Sequence, residues 1–137
     1  MESANIPIRW ADMDAYQHVN NAVYLNYLEE ARDKVMEKLF GDQSYDFVTA
    51  RVEIDFRNEI TQADGVITVH SRVSGHGRSS VRSREVIKKA DGTVAAEAAA
   101  VVVPRDSETG SSRPLREDEK ARIDSEMKSD ADAGHDF

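Results

Sequence analysis

The 137-residue chain contains no cysteine. Disulfides, thiolate nucleophiles and thiolate metal sites are therefore excluded, and the composition suits the cytoplasm. Bases are outnumbered, 18 Lys and Arg against 26 Asp and Glu, for a formal charge of −8. A globally acidic chain is a poor tracker of a nucleic-acid backbone, which leaves room only for local basic patches. No apolar run is long enough to span a membrane. The opening residues, MESANIPIRW, lack the basic start and apolar core of a signal peptide. The expectation is a cytoplasmic protein with neither a nucleic-acid nor a membrane partner. A chain of this length forms one core, not two.

Periodicity divides what is present. Ile6, Ile8 and Trp10 alternate as a short first strand, with Pro7 favouring an edge. A polar stretch, Ala11 to Asn21, follows. Asn20 or Asn21 then caps a helix from about Ala22 to Phe40, in which Tyr24, Tyr27, Leu28, Ala31, Val35 and Leu39 recur at helical spacing. Gly41 marks its stop. Glu29, Glu30 and Arg32 read as outward-facing. Beyond it the period becomes two: Val48 to Phe56, Ile67 to Val73, Val81 to Ile87, and an Ala- and Val-rich Thr93 to Val103 that reads as a central strand. Asp64-Gly65, Gly75-His76-Gly77 and Asp91-Gly92 mark turns. One long helix cannot bury its stripe alone, whereas an antiparallel sheet of four or five strands can cover it. From Pro104 on there are 10 acids against 6 bases, a short helix over Leu115 to Met127 with few anchors, and a frayed end.

The stretch WADMDAYQHVNNAVYLNYLEEAR, Trp10 to Arg32, holds more polar chemistry than a helix start requires. Asp12 and Asp14 form a DxD pair in which one acid can serve structure while the other reacts. The free N–H groups at the helix start can stabilise a carbonyl oxygen that becomes an oxyanion. A nearby carboxylate can attack that carbonyl or activate water. His18 can orient water, bond the carbonyl or fill space. The other histidines, His70, His76 and His135, have no metalloenzyme spacing, so no metal is expected. No separate acid–histidine pair, as a hydratase would need, is visible.

Arg72, Arg78, Arg82, Arg84, Lys88 and Lys89 reverse the overall charge locally. They read either as a solvated face or as a phosphate-binding patch, to which Gly77-Arg78-Ser79-Ser80 adds backbone and hydroxyl donors. No Walker or dinucleotide glycine pattern is present, and no cofactor is expected.

In combination, Arg9-Trp10-Ala11-Asp12-Met13-Asp14, His18-Val19-Asn20-Asn21, Tyr24, Tyr27 and Ala31-Arg32 resemble the signature of hotdog-fold acyl-CoA thioesterases of the 4-hydroxybenzoyl-CoA thioesterase type. Ala63 to Val69, Gly77 to Ser80, Asp91-Gly92, Ala95 to Val103 and Ser112 to Leu115 resemble later parts of the same family, so the likeness covers roughly Ile6 to Ile123. It implies an α+β hotdog fold, an antiparallel sheet wrapped around one long central helix. Residues 1–124 would form that domain, with 105–124 its C-terminal loop and short helix, and 125–137 a frayed tail.

The resemblance also implies acyl-CoA hydrolysis at sites on the interface of a homodimer or homotetramer. Asp14 would be nucleophile or general base, the Asn21 backbone the oxyanion donor, and His18 the residue that positions substrate or water. Asn20, Gln17, Tyr24, Arg78, Ser79, Ser80 and Arg82 would contact substrate or coenzyme A. The family commonly has glycine where this chain has Gln17, which reshapes the pocket entrance or lends an amide. Trp10 offers a ring for acyl stacking or for the core. The rival expectations are hydrolysis of acyl-carrier-protein thioesters and a non-catalytic acyl-CoA-binding protein.

Overall fold

The structure, a computed structural model, describes residues 1–42 and 46–137. Its elements are β1 (Glu2–Pro7), α1 (Asn21–Phe40), β2 (Phe47–Phe56), β3 (Val66–His76), β4 (Val81–Lys89), β5 (Val94–Pro104) and α2 (Glu117–Asp132). The strands form one antiparallel sheet in the order β1-β3-β4-β5-β2. The expected sequence of strand, helix and four strands is therefore present. Gly65 and Gly92, at φ 72° and 87°, close two of the turns that the sequence marks.

α1 packs on β1, β3, β4 and α2. Its predicted stripe from Tyr24 to Leu39 is buried, together with Met36 and Phe40. Two apolar clusters lie beneath it. One joins Ile6, Ile8, Val19, Tyr24, Leu28, Ile60 and Ile67; the other joins Val35, Leu39, Phe40, Val73, Val81, Leu115 and Ile123. β5 is paired on both sides, and its alanines face β2 and β4 closely.

Four expectations need correction. Trp10 does not extend β1; it opens a 3-10 turn, Trp10–Asp12, and is 81% exposed, so it is not a core residue. Arg32 does not face outward; it is 4% exposed and pairs with Glu85 of β4. The alternating apolar face of β2 is only partly covered within the chain: Val52 and Ile54 pack against the core, but Val48 is 39% and Phe56 48% exposed. Finally, α2 is helical through Asp132 rather than frayed from residue 125.

Charge pairing explains that extra length. Lys38 Nζ of α1 meets Glu126 Oε1 at 2.8 Å, and Arg122 donates to the Leu39 carbonyl at 2.9 Å and to Asp42 at 2.6 Å. Buried Glu119 accepts from both terminal nitrogens of Arg113 and from the Arg116 N–H. A hydropathy pattern sees only charge in these residues, not its neutralisation.

Candidate active site

The polar stretch in front of α1 is folded onto Asp12. This carboxylate is 1% exposed. Its Oδ1 accepts from Arg9 Nε and Nη2 at 3.1 and 2.9 Å, and its Oδ2 from the Arg9 N–H at 3.1 Å and the Tyr27 hydroxyl at 2.6 Å. Burial alone would raise the Asp12 carboxyl, but the hydrogen bonds from Tyr27 and Arg9 outweigh it and hold the group below its ordinary value. The Tyr27 hydroxyl is pushed up by its own burial and by this carboxylate. The Asp12 carbonyl in turn accepts the Asn20 N–H at 2.9 Å. Asp12 is thus the residue that holds the loop.

Asp14 is turned to a different use. Its Oδ1 accepts the N–H groups of Tyr16 and His18 at 2.8 and 3.1 Å, and its own N–H donates to the His18 carbonyl at 2.7 Å. Among the described residues its second oxygen, Oδ2, has no protein donor. The tight turn between Asp14 and His18 puts Gln17 at φ 70°, the one non-glycine residue with positive φ among those described. Glycine would adopt this conformation without strain. Gln17→Gly is expected to leave stability unchanged or raise it by up to about 1 kcal/mol, and Gln17→Val to lower it by about 1–2 kcal/mol. Urea denaturation midpoints of the two variants test this.

At the start of α1 the Asn20 side chain accepts the Ala22 N–H at 2.9 Å, and its carbonyl accepts the Val23 N–H at 2.9 Å. Asn20 is therefore the N-cap. The Ala22 and Asn20 N–H groups are both occupied. The Asn21 N–H is left without a protein acceptor among the described residues.

A cavity of about 320 Å³ is lined by Asp14, His18, Val19, Asn21, Tyr24, Phe56, Arg57, Asn58 and Glu59. It gathers four of the expected site residues: Asp14, His18, Asn21 and Tyr24. Tyr24 meets Phe56 edge to face, with ring centroids 5.0 Å apart, and forms an apolar wall. Burial raises the Tyr24 hydroxyl above its ordinary value, so it stays protonated.

The other expected residues lie elsewhere. Gln17 and Asn20 shape the loop and the helix start without lining the cavity. Arg78, Ser79 and Ser80 form the β3–β4 turn, where the Arg78 carbonyl accepts the Leu115 N–H at 2.8 Å. That turn is at the far end of the eleven-residue β3, roughly 30 Å of strand away from Ile67. Arg82 is exposed on the face of the sheet opposite α1, where it lines a depression with Arg51, Arg72 and Arg84. Within one chain none of these four reaches the Asp14 cavity.

Three lining residues escape the sequence reading. Arg57, Asn58 and Glu59 form the polar break between the alternating β2 and buried Ile60. Arg57 is engaged by Glu97 at 3.1 Å, Asn58 Nδ2 donates to the Val94 carbonyl at 2.8 Å, and Glu59 lies 2.8 Å from His18 Nε2. An acid–histidine pair is therefore present after all, assembled across 41 residues of sequence, 18 to 59. Among the described residues no group of three or more His, Asp or Glu is placed to hold a metal ion.

The sequence pattern of the thioesterase-like superfamily matches residues 8–129. The chain belongs to that superfamily. One relative is the long-chain acyl-CoA thioesterase FadM of Escherichia coli K12, 30% identical over 129 residues that cover 90% of this chain and 97% of that protein. Among solved structures, a thioesterase of Thermus thermophilus in complex with coenzyme A and zinc is 31% identical, covers 90% of this chain and 92% of its own, and superposes with a TM-score of 0.79. The probable thioesterase YbaW of Escherichia coli is 27% identical over 92% of this chain and 98% of its own, also at 0.79. The five-stranded antiparallel sheet of this thioesterase-like chain thus has the hotdog-type fold of solved thioesterases. Both the Asp14 loop and the start of α1 lie inside the matched residues.

Proposed function

We propose that this thioester hydrolase cleaves acyl-coenzyme A to a free acid and coenzyme A, with Asp14 as the reactive carboxylate and the Asn21 N–H as the oxyanion donor. One observation carries the reading: Asp14, with an uncommitted oxygen, and the α1 start, with an uncommitted N–H, line the same cavity. In hydrolysis the carbonyl oxygen gains charge as a new bond forms at carbon. The Asn21 N–H and the positive end of α1 favour that charge. Asp14 either attacks the carbonyl itself, giving an anhydride that water then opens, or takes a proton from the attacking water. In both routes the C–S bond breaks, its electron pair leaves with sulfur, and the thiolate gains one proton. Tyr24 and Phe56 offer the acyl chain an apolar wall.

The DxD-to-helix order is that of the 4-hydroxybenzoyl-CoA thioesterase type, with the sheet curving around α1. The protein works as a cytoplasmic homodimer or homotetramer with its sites at the interface. The free edge of β2 and the uncovered Val48 and Phe56 support this, because a second copy can pair that edge and bury that face. It also offers a way for Arg78, Ser79, Ser80 or Arg82 of one copy to approach the cavity of another, as basic donors for the phosphates of coenzyme A.

Free-thiol release from short, long and aromatic acyl-CoAs tests the reaction. The expected result is turnover of at least one class without added cofactor. Turnover confined to carrier-protein thioesters moves the substrate to acyl carrier protein. Tight coenzyme A binding with no turnover of either makes the chain a binding protein.

A further inference from the structure

We propose that Glu59 is the positioning residue for His18, an inference that rests on the acyl-CoA hydrolysis proposed above. His18 Nε2 lies 2.8 Å from Glu59 Oε2, and both side chains line the cavity that holds Asp14 and Asn21. Their backbones are fixed independently. The His18 N–H is held by Asp14 Oδ1, and the next residue, Val19, donates to the Ile60 carbonyl at 2.8 Å. Glu59 sits between that buried Ile60 and Asn58, whose N–H donates to the Ala95 carbonyl at 3.1 Å. The neighbouring cation, Arg57, is engaged by Glu97 and Asp55. His18 is accordingly the one ion-pair partner of the Glu59 carboxylate among the described residues.

The chemistry follows from the two ring nitrogens. The charge of a carboxylate 2.8 Å from Nε2 favours a proton on that nitrogen, which leaves the lone pair of the neutral ring on Nδ1. Asp14 holds the His18 main chain, and the Glu59 carboxylate faces the ring at Nε2. Nδ1 is then the nitrogen left to accept from the attacking water and to orient its oxygen. Glu59 does this without touching the substrate. The pair is also largely solvated, with side chains 40% and 62% exposed. An exposed ion pair adds little to folding stability, so removing Glu59 leaves the fold intact and isolates its effect on turnover.

The experiment combines steady-state kinetics of Glu59→Ala, Glu59→Asp, His18→Ala and the His18→Ala/Glu59→Ala double variant with ¹⁵N NMR of the histidine rings. The His18→Ala spectrum assigns the His18 signals among the four histidines. Glu59→Ala is expected to lower kcat about 10-fold, in line with the loss of other histidine-orienting partners, while KM changes by less than about twofold. Glu59→Asp recovers part of the loss. On the His18→Ala background, Glu59→Ala costs nothing more. In the spectrum of the neutral ring, the Nε2–H tautomer of the native protein gives way to a mixture in Glu59→Ala. Unchanged kcat in Glu59→Ala, or a loss that adds fully to that of His18→Ala, overturns the proposal. An unaltered tautomer in Glu59→Ala overturns the contact itself, whatever the reaction. Absence of thiol release from the native protein, with the tautomer still dependent on Glu59, instead overturns the reaction on which the role rests.

Discussion

Asp14→Asn is expected to lower kcat for acyl-CoA hydrolysis by about 10²–10⁴-fold, the range for removing a general acid or base. The size of the effect comes from what the substitution keeps. Asp14 Oδ1 accepts two backbone N–H groups, from Tyr16 and His18. An amide oxygen accepts the same two bonds, so the turn that presents the residue survives. What is lost is the second carboxylate oxygen, which becomes an NH₂ group that neither attacks a carbonyl nor takes a proton from water. KM should change little, because this oxygen acts in the transition state and not in holding the acyl chain. Asp12→Asn separates the two acids. It replaces an acceptor of Arg9 and Tyr27 with a group that is half donor, so its damage is to the loop and appears in the denaturation midpoint first. Full activity in a folded Asp14→Asn protein would transfer the reactive role to another lining group.

Arg32→Met should cost about 3–5 kcal/mol of stability, the penalty for stranding one member of a buried ion pair. Arg32 Nε donates to Glu85 Oε1 at 2.9 Å, Nη2 bonds the same oxygen, and Ser71 Oγ reaches the other at 3.4 Å. Glu85 is 1% exposed. Its burial holds the carboxyl above its ordinary value, against the opposing pull of the guanidinium charge and the hydrogen bonds. Without Arg32 the raising influence of burial loses its largest opponent. A folded-state carboxyl raised above its unfolded value contributes stability at low pH that is lost as pH rises through the folded value. The deficit of Arg32→Met should therefore shrink on acidification from neutral pH, as Glu85 takes a proton and ceases to be a buried charge. Urea titrations at neutral and mildly acidic pH measure this. The double variant Arg32→Met/Glu85→Leu should recover most of the loss, because it removes both charges together. A deficit that stays constant with pH would show Glu85 already neutral beside Arg32.

Much of this architecture is legible along the chain, because α1 and the strands announce themselves by period. Tyr24 to Leu39 repeat at helical spacing, Val48 to Phe56 alternate, and glycines sit at the turns. The Asp14–Asn21 half of the cavity is legible for the same local reason: both lie within one short polar stretch. What periodicity misses is charge that finds a distant partner. Arg32 stands four residues after Leu28 and four before Met36, on the buried stripe itself, yet its type reads as surface because Glu85 is 53 residues away. Glu59 is hidden likewise, since nothing local ties it to His18. Trp10 fails in the opposite sense: its apolar ring fits the β1 alternation, but the turn that Asp12 organises with Arg9 lifts it into solvent. The tail is misread because Glu119 and Glu126 look solvated until Arg113 and Lys38 are seen beside them.

The open flank of β2 also bears on the life of the newly made chain. A ten-residue strand with alternating Val48, Val52, Ile54 and Phe56 and an unpaired edge is a template for stacking like segments into fibrils. Its opposite face carries Arg51, Glu53 and Asp55, and Arg57 follows directly after its end; their ion pairs set charges of both signs along the strand. These act as gatekeepers, since a neighbouring strand in register would set like charge on like. In the homo-oligomer proposed above, the covering of the apolar side of β2 would thus have a second effect. It would withdraw this exposed edge strand from the pool of unassembled chains, so that assembly and solubility would be governed by the same surface.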